Sequence, residues 1–408
     1  MTKPRLFLHI GEPKTGTTAI QTFLLANRAA LRRKGFLYPL AGVHDSAHRK
    51  LSPAFYAASL TNNDAAETLE AVLREVREAG CATTILSFEG FCLDNPRSLA
   101  GLAREFDVKV VYYLRRQDHL FESRYAQHVR SCLIRQVRPP GLVLRDFPHY
   151  ADYLRVLKLY AALFGRENMI VRLFEPQSLF QNDPVLDFLQ VIGLPMSPEY
   201  VPSTSSNAAL KRPYLAFLRQ CNALPLLEGE HLKLELELTV LSQNDKTPTV
   251  RHLVSPADRR SVLDRHAAMN AEIARDWFGK PGGTLFEEPL PADSQPWAPL
   301  EQLDPGAQHS LFDQLSAGMQ DLLEFLSRDI RQRLPGEAFL PVLPGEAEAI
   351  RRLLATRDQA ALQRRMAALE HRLAAAFKAP PPPPGFWLRL RRFAGKLLRK
   401  TGLLRDSR

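Results

Sequence analysis

Along most of this 408-residue chain, short apolar runs alternate with longer stretches whose apolar positions recur every three or four residues. The runs at 5–10 (RLFLHI), 83–88 (TTILSF), 108–114 (VKVVYYL) and 169–174 (MIVRLF) have the length and content of buried strands. After the first run, Ile20, Phe23, Leu24 and Leu31 mark a helix that stops at Gly35, and Leu69, Val72, Leu73 and Val76 mark another. Residues 36–60 read as a loop with one short helix, and 202–208 as a polar loop. Further helices are predicted over 118–130, 150–164, 184–193, 211–222 and 257–278. Strands separated by helices predict an α/β domain: a central parallel sheet covered on both faces, three layers in all.

Past residue 290 the rhythm changes. Helices are predicted over 307–334 and 346–378, the second with apolar residues at Ile350, Leu354, Leu362, Met366, Leu369, Leu373 and Phe377. An uninterrupted proline run, 380–384, then forms a stiff extended spacer. In the last stretch, Trp387, Leu390, Ala394, Leu397, Leu398 and Leu404 share one helical face among basic residues. The chain thus divides into a domain over 1–290, a helical extension over 300–378, and a linker with an amphipathic tail over 379–408.

Charge matters mainly for that tail. The chain carries a net +10, but residues 386–408 hold eight Lys/Arg against Asp406 alone, leaving +3 for everything before them. A nucleic-acid-binding body is therefore not expected. A basic amphipathic helix behind a stiff spacer suits either an anionic membrane surface or a docking site on protein. No apolar run approaches the roughly 20 residues of a membrane span. The first strand begins at Arg5, leaving no room for a secretory signal, and the four cysteines form no C-x-x-C pair. The expected location is cytoplasmic, with peripheral attachment at the inner face of the membrane if the tail binds lipid.

The chemistry concentrates where the first strand meets its helix. Gly11, Pro13, Gly16, Thr17 and Thr18 form a turn that aims free backbone N–H groups and a positive helix end at one point, a ready anion site. The spacing fits G-x-x-x-x-G-K-[ST], except that Thr17 stands in place of the lysine and Lys14 lies inside the loop. A lysine there reaches a near phosphate and its bridging oxygen rather than a distant gamma-phosphate. Glu89 and Arg115 each follow a predicted strand directly, at the same edge as the loop, where ligands of such sheets sit.

The stretch HIGEPKTGTTAIQ resembles the 5′-phosphosulfate loop of sulfotransferases that use 3′-phosphoadenosine 5′-phosphosulfate (PAPS), bacterial carbohydrate-type members especially. The resemblance weakens toward residue 291. It implies a P-loop-like three-layer fold, PAPS as donor and no metal ion. It also implies that Lys14, Thr15, Gly16, Thr17 and Thr18 hold the 5′-phosphate, with Lys14 neutralising the leaving group. In YLRRQDHLFES, Arg115 and Ser123 match the pair that grips the 3′-phosphate, and Arg116 is the alternative one residue on. Glu89 in ILSFEG matches the Ser-x-Glu element that supplies a general base. His48 is the second candidate for that role, because a histidine titrates near neutrality. His9, inside the first strand, reads as a packed side chain. Asn207, Lys211 and Arg212 match a late loop closing over the nucleotide, although SSNAALKRP departs from the Arg-Lys-Gly form. The implied acceptor is a hydroxyl on a carbohydrate or cell-envelope glycan precursor.

Two other classes of function fit parts of the pattern. A P-loop kinase or nucleoside triphosphatase would need Mg²⁺ and a lysine directly after Gly16. A non-catalytic adaptor would keep the fold and act through its C-terminal helices.

Overall fold

The computed structural model describes residues 3–323 and 326, apart from 53–64, 94–95, 146–150, 204–208, 225, 251, 295–296, 298 and 301–304. Asn207, the segment 346–378 and the basic tail therefore lie outside the described residues. Its core is a five-stranded sheet. In chain order the elements are β1 (Arg5–His9), α1 (Thr17–Ala26), α2 (Arg28–Arg33), β2 (Phe36–Leu37), α3 (Ala65–Ala79), β3 (Thr83–Ser87) and β4 (Asp107–Leu114). There follow α4 (Gln117–Arg130), α5 (Tyr153–Phe164), β5 (Met169–Leu173), α6 (Pro184–Ile192), α7 (Arg212–Cys221), α8 (Glu228–Asn244), α9 (Pro256–Phe278) and α10 (Pro305–Asp313). The strands pair in parallel in the order β2-β3-β1-β4-β5, with Leu6 level with Thr84 on one side and Val108 on the other.

Alternation along the strands sorts the side chains into two cores. Leu6, Leu8, Val110 and Tyr112 point to the face covered by α3, α5 and α9, through Val72, Val156, Leu157 and Ile273. Phe7, Ile85, Val111 and Tyr113 point to the face covered by α1, α2 and α6, through Ile20, Phe23, Leu31 and Phe188. The expected three layers are thus present. Asp187 of α6 is fully buried, but it accepts from Tyr113 Oη at 2.7 Å and is paired with Arg172, so its charge is not orphaned.

Local chemistry sets the element ends. Asp183 caps α6 by accepting from the N–H groups of Val185 and Leu186, Pro184 occupies the first turn, and Gly193 closes it in the left-handed region. Ser255 and Pro256 start α9 the same way. The predicted first helix is broken in two at Asn27, whose amide bonds to Phe23 O at 2.9 Å and exchanges bonds with the backbone of Val201. A side chain that ties to a distant segment can outbid the next helical turn. Helix 307–334 of the sequence reading is likewise interrupted, α10 ending at Asp313 with a new turn beginning after Ser316.

The chain divides into two compact units. The first comprises Met1–His128, Pro139–Leu215 and Ser242–Gln302 and holds the whole sheet; the second comprises Val129–Arg138, Ala216–Leu241 and the chain from Leu303 onward. The second unit therefore draws on the middle of the chain as well as its end. Inside it, Asn222 donates to Val129 O at 2.8 Å and meets His231 Nε2 at 2.8 Å, while Arg219 donates to Val137 O at 2.8 Å. Among the described residues, no helix is long and apolar enough to cross a membrane.

Candidate active site

The loop between β1 and α1 is shaped by two glycines. Gly11 (φ 58°) and Gly16 (φ 78°) are both left-handed, and a Cβ on Gly16 would fall 2.7 Å from Pro184. Gly16 is the N-cap of α1 and supplies no side-chain cap, so the first-turn N–H groups are not satisfied by a capping side chain. Lys14 also sits at positive φ, 71°, an unusual backbone for a side chain of its size. Thr15 is buried and donates to Glu12 O at 2.6 Å; Thr17 is buried against Gly11; Thr18 is exposed. The Thr15 hydroxyl thus ties the loop to itself, while the Thr17 methyl packs at Gly11.

Glu89 stands directly against this loop. A Cβ on Gly11 would lie 3.0 Å from Glu89 Cα, so only glycine permits the approach. Glu89 Oε2 accepts from Gln21 Nε2 at 2.8 Å, and the Arg49 guanidinium lies 4.0 Å from Oε1. Gln21 also reaches Ser87 Oγ at 3.3 Å, and Ser87 Oγ meets His9 Nδ1 at 2.8 Å, a buried relay from β1 through β3 to α1. Gln21 is the last residue of HIGEPKTGTTAIQ, and its orienting contact with Glu89 is not read from sequence alone.

His48 is placed differently from the sequence expectation. It is fully buried; Nδ1 accepts from the Ser87 N–H at 3.2 Å, which leaves Nε2 to donate to Pro39 O at 3.1 Å. Burial pulls its pKa down to about 4, and neither nitrogen has a lone pair left for a substrate proton. It holds the 36–52 segment onto β3. His9 is the packed side chain expected, with burial lowering its pKa to about 3.

Arg115 and Arg116 leave β4 together and diverge. The Arg115 guanidinium donates to Lys14 O at 2.6 Å and lies 5.5 Å from the Phe174 ring centre, so it joins the loop. Arg116 turns inward. It pairs with Asp118 at 2.8 Å and with Glu288 at 3.0 Å, and Arg259 joins Asp118 at 2.8 Å. Burial works to raise the Asp118 carboxyl, but the Arg116 hydrogen bond and the two guanidinium charges overcome it and hold the acid below its usual range. Arg116 is therefore structural, not an alternative to Arg115. Ser123 is half-buried in the second turn of α4. Lys211 Nζ donates to Thr247 O at 2.9 Å and to Asp245 O, and Arg212 to His252 O, so both side chains end on the backbone of the 245–252 segment.

One acid in the loop has no role in the sequence reading. Glu12 is buried, accepts from Tyr112 Oη at 3.0 Å and lies 3.8 Å from Arg124; burial pushes its pKa up while Arg124 opposes the shift. A further cluster, His119, Glu122 and His252, brings a ligand-type atom of each within 4.8 Å of the others. Its hydrogen bonds already account for it. Glu122 accepts from His252 Nδ1 at 3.0 Å and from the Leu253 N–H at 2.6 Å, His119 Nε2 meets Glu288 at 2.7 Å, and the Arg116 guanidinium, 3.2 Å from that nitrogen, repels a cation.

No protein-family model matches the chain. A stretch of 208 residues is 25% identical to an uncharacterized protein of Archaeoglobus fulgidus, covering 50% of this chain and 56% of that protein, so the chain spans about half the length of the curated relative it matches. A sulfotransferase domain from the curacin biosynthetic pathway aligns over 65% of this chain and 97% of its own, with 11% identity and a TM-score of 0.28. The crystal structure of a sulfotransferase from Alicyclobacillus acidocaldarius aligns over 60% of this chain and 98% of its own, with 19% identity and a TM-score of 0.33.

Proposed function

We propose that this protein transfers a sulfuryl group from PAPS to a hydroxyl acceptor, a carbohydrate or cell-envelope glycan being the acceptor class that the loop's resemblance implies. The observation that carries the reading is the bond from Arg115 to Lys14 O at 2.6 Å, which joins two motifs 101 residues apart. A donor with phosphates at both its 3′ and 5′ positions needs two such cationic groups at one sheet edge. The uncapped first turn of α1 fits a bound phosphate, because its N–H groups are not satisfied by a capping side chain.

PAPS, when bound, supplies the sulfuryl group. The residues around it would divide the remaining work. Lys14 and the α1 N–H groups counter the negative charge that grows on the departing phosphate. Arg115, with Ser123, holds the 3′-phosphate by a forked guanidinium contact. Glu89, steadied by Gln21 through Oε2, accepts the acceptor hydroxyl's proton as that oxygen attacks sulfur. His48, with both nitrogens engaged, does not compete for this role.

The test is calorimetric titration with adenosine 3′,5′-bisphosphate in the presence of a chelator. The wild-type chain should bind, and Lys14→Ala and Arg115→Ala should each lose most of that binding. Binding of ATP that requires Mg²⁺, with none of the bisphosphate, would favour the kinase reading and end this one.

A further inference from the structure

Helix α8 is apolar on two opposite sides. Its sequence LKLELELTV alternates with period two, which on a helix throws apolar residues to both faces rather than one. Leu234 and Leu238 are fully buried in the second unit. Leu232, Leu236 and Val240, at four-residue spacing, form a stripe along the other side and remain 50%, 61% and 49% exposed. Surface helices carry one apolar face, and a helix apolar on both sides is covered on both.

We propose that the outer stripe of α8 is the seat of the amphipathic segment 346–378 of the same chain. Two observations select this occupant. The first is reach: the chain is last described at Leu326, buried in the same unit, and 19 residues separate it from position 346. A spacer of that length can extend about 60 Å, far beyond α8. Tethering raises the local concentration of the segment to roughly millimolar, so a narrow stripe suffices to hold it. A second copy of the chain lacks this advantage, and three aliphatic side chains fall well short of the roughly 800 Å² per partner that a stable interface needs.

The second observation is charge. Glu228 and Glu235 flank the stripe on one side, Lys233 and Glu237 on the other; with Arg130 paired to Glu235 at 2.7 Å and Lys233 to Glu237 at 3.8 Å, Glu228 leaves the rim one net negative charge. Segment 346–378 carries seven basic residues (Arg351, Arg352, Arg357, Arg364, Arg365, Arg372, Lys378) against four acidic ones. Its apolar residues from Leu362 through Met366, Leu369 and Leu373 to Phe377 recur every three or four positions, as a stripe matched to a neighbouring helix must.

The experiment is amide hydrogen exchange on the full-length chain, followed peptide by peptide. In the wild type, amides of 362–377 should exchange at least tenfold more slowly than an unstructured peptide. Leu232→Asp/Leu236→Asp, which changes only exposed side chains, should release that protection; Leu362→Asp/Leu369→Asp should in turn speed exchange across 228–241. Light scattering should report a monomer throughout. The proposal fails if 362–377 exchanges freely in the wild type, or if its protection survives Leu232→Asp/Leu236→Asp. It also fails if a mixture of isotopically labelled and unlabelled chains cross-links α8 between copies, which would make a second copy the occupant.

Discussion

Arg115 and Arg116 are neighbours at the end of one strand, yet they belong to different parts of the molecule. Arg115 lies against the backbone of the Gly11–Thr18 loop. Arg116 sits among Asp118, Arg259 and Glu288, with 3% of its side chain exposed. The same division repeats with acids and histidines. Glu89 meets the loop from β3 with part of its carboxylate exposed, while Glu12, inside the loop, is turned under it toward Tyr112 and Arg124. His48, a residue type suited to catalysis, holds two backbone groups. On the proposed reading, what separates a working residue from a structural one at this edge is whether it meets the Gly11–Thr18 loop, as Arg115 and Glu89 do, or is tied elsewhere, as Arg116 and His48 are.

Perturbing the two sets should give opposite signatures. The largest effect is expected from Lys14→Ala, which should reduce sulfuryl transfer at least about a thousandfold with little change in melting temperature. A full loss of fold instead would move Lys14 to the structural set. Arg116→Ala should do the reverse, destabilising the protein by about 3 kcal/mol, the lower end for a broken buried pair because Arg259 still faces Asp118. Chemical denaturation measures it, and an unchanged midpoint would erase the contrast between the two arginines. Glu89→Gln should slow turnover about a hundredfold while affinity for adenosine 3′,5′-bisphosphate stays near wild type. Arg115→Ala should weaken that affinity about tenfold or more, without the stability loss of its neighbour.

The last effect is one of pH. His9 and His48 are held neutral by burial, with pKa values lowered to about 3 and about 4. The unfolded chain takes up protons at these positions below pH 6.5 and the folded chain does not, so stability is full above 6.5 and falls on acidification toward 4. The expected slope is up to about 1.4 kcal/mol per pH unit for each imidazole. Replacing His48 by Gln should flatten the slope; an unchanged slope would mean that His48 titrates normally in the native state.

Much of this architecture is legible in the residues. Four of the five strands announce themselves as apolar runs, and the loop announces itself through Gly11, Lys14, Gly16 and the threonines. The fifth strand, β2, is two residues long and carries no pattern. The break at Asn27 depends on Val201, a residue 174 positions away. Helix α8 escapes because period-two alternation reads as a strand, although leucine, glutamate and lysine are strong helix formers.

By itself, the sequence determined the α/β layering and the glycine-shaped turn of the first loop. Both rest on local regularities: strand alternation, helical spacing, and glycines that permit left-handed turns. Only the tertiary structure decided which of two adjacent arginines joins the loop, that Gln21 steadies Glu89, that His48 has no nitrogen left for catalysis, and that Glu12 is buried against Arg124. Those outcomes depend on which polar atoms meet across the sheet and its covering helices, and hydrogen-bond partners supplied from a hundred residues away leave no trace in local spacing.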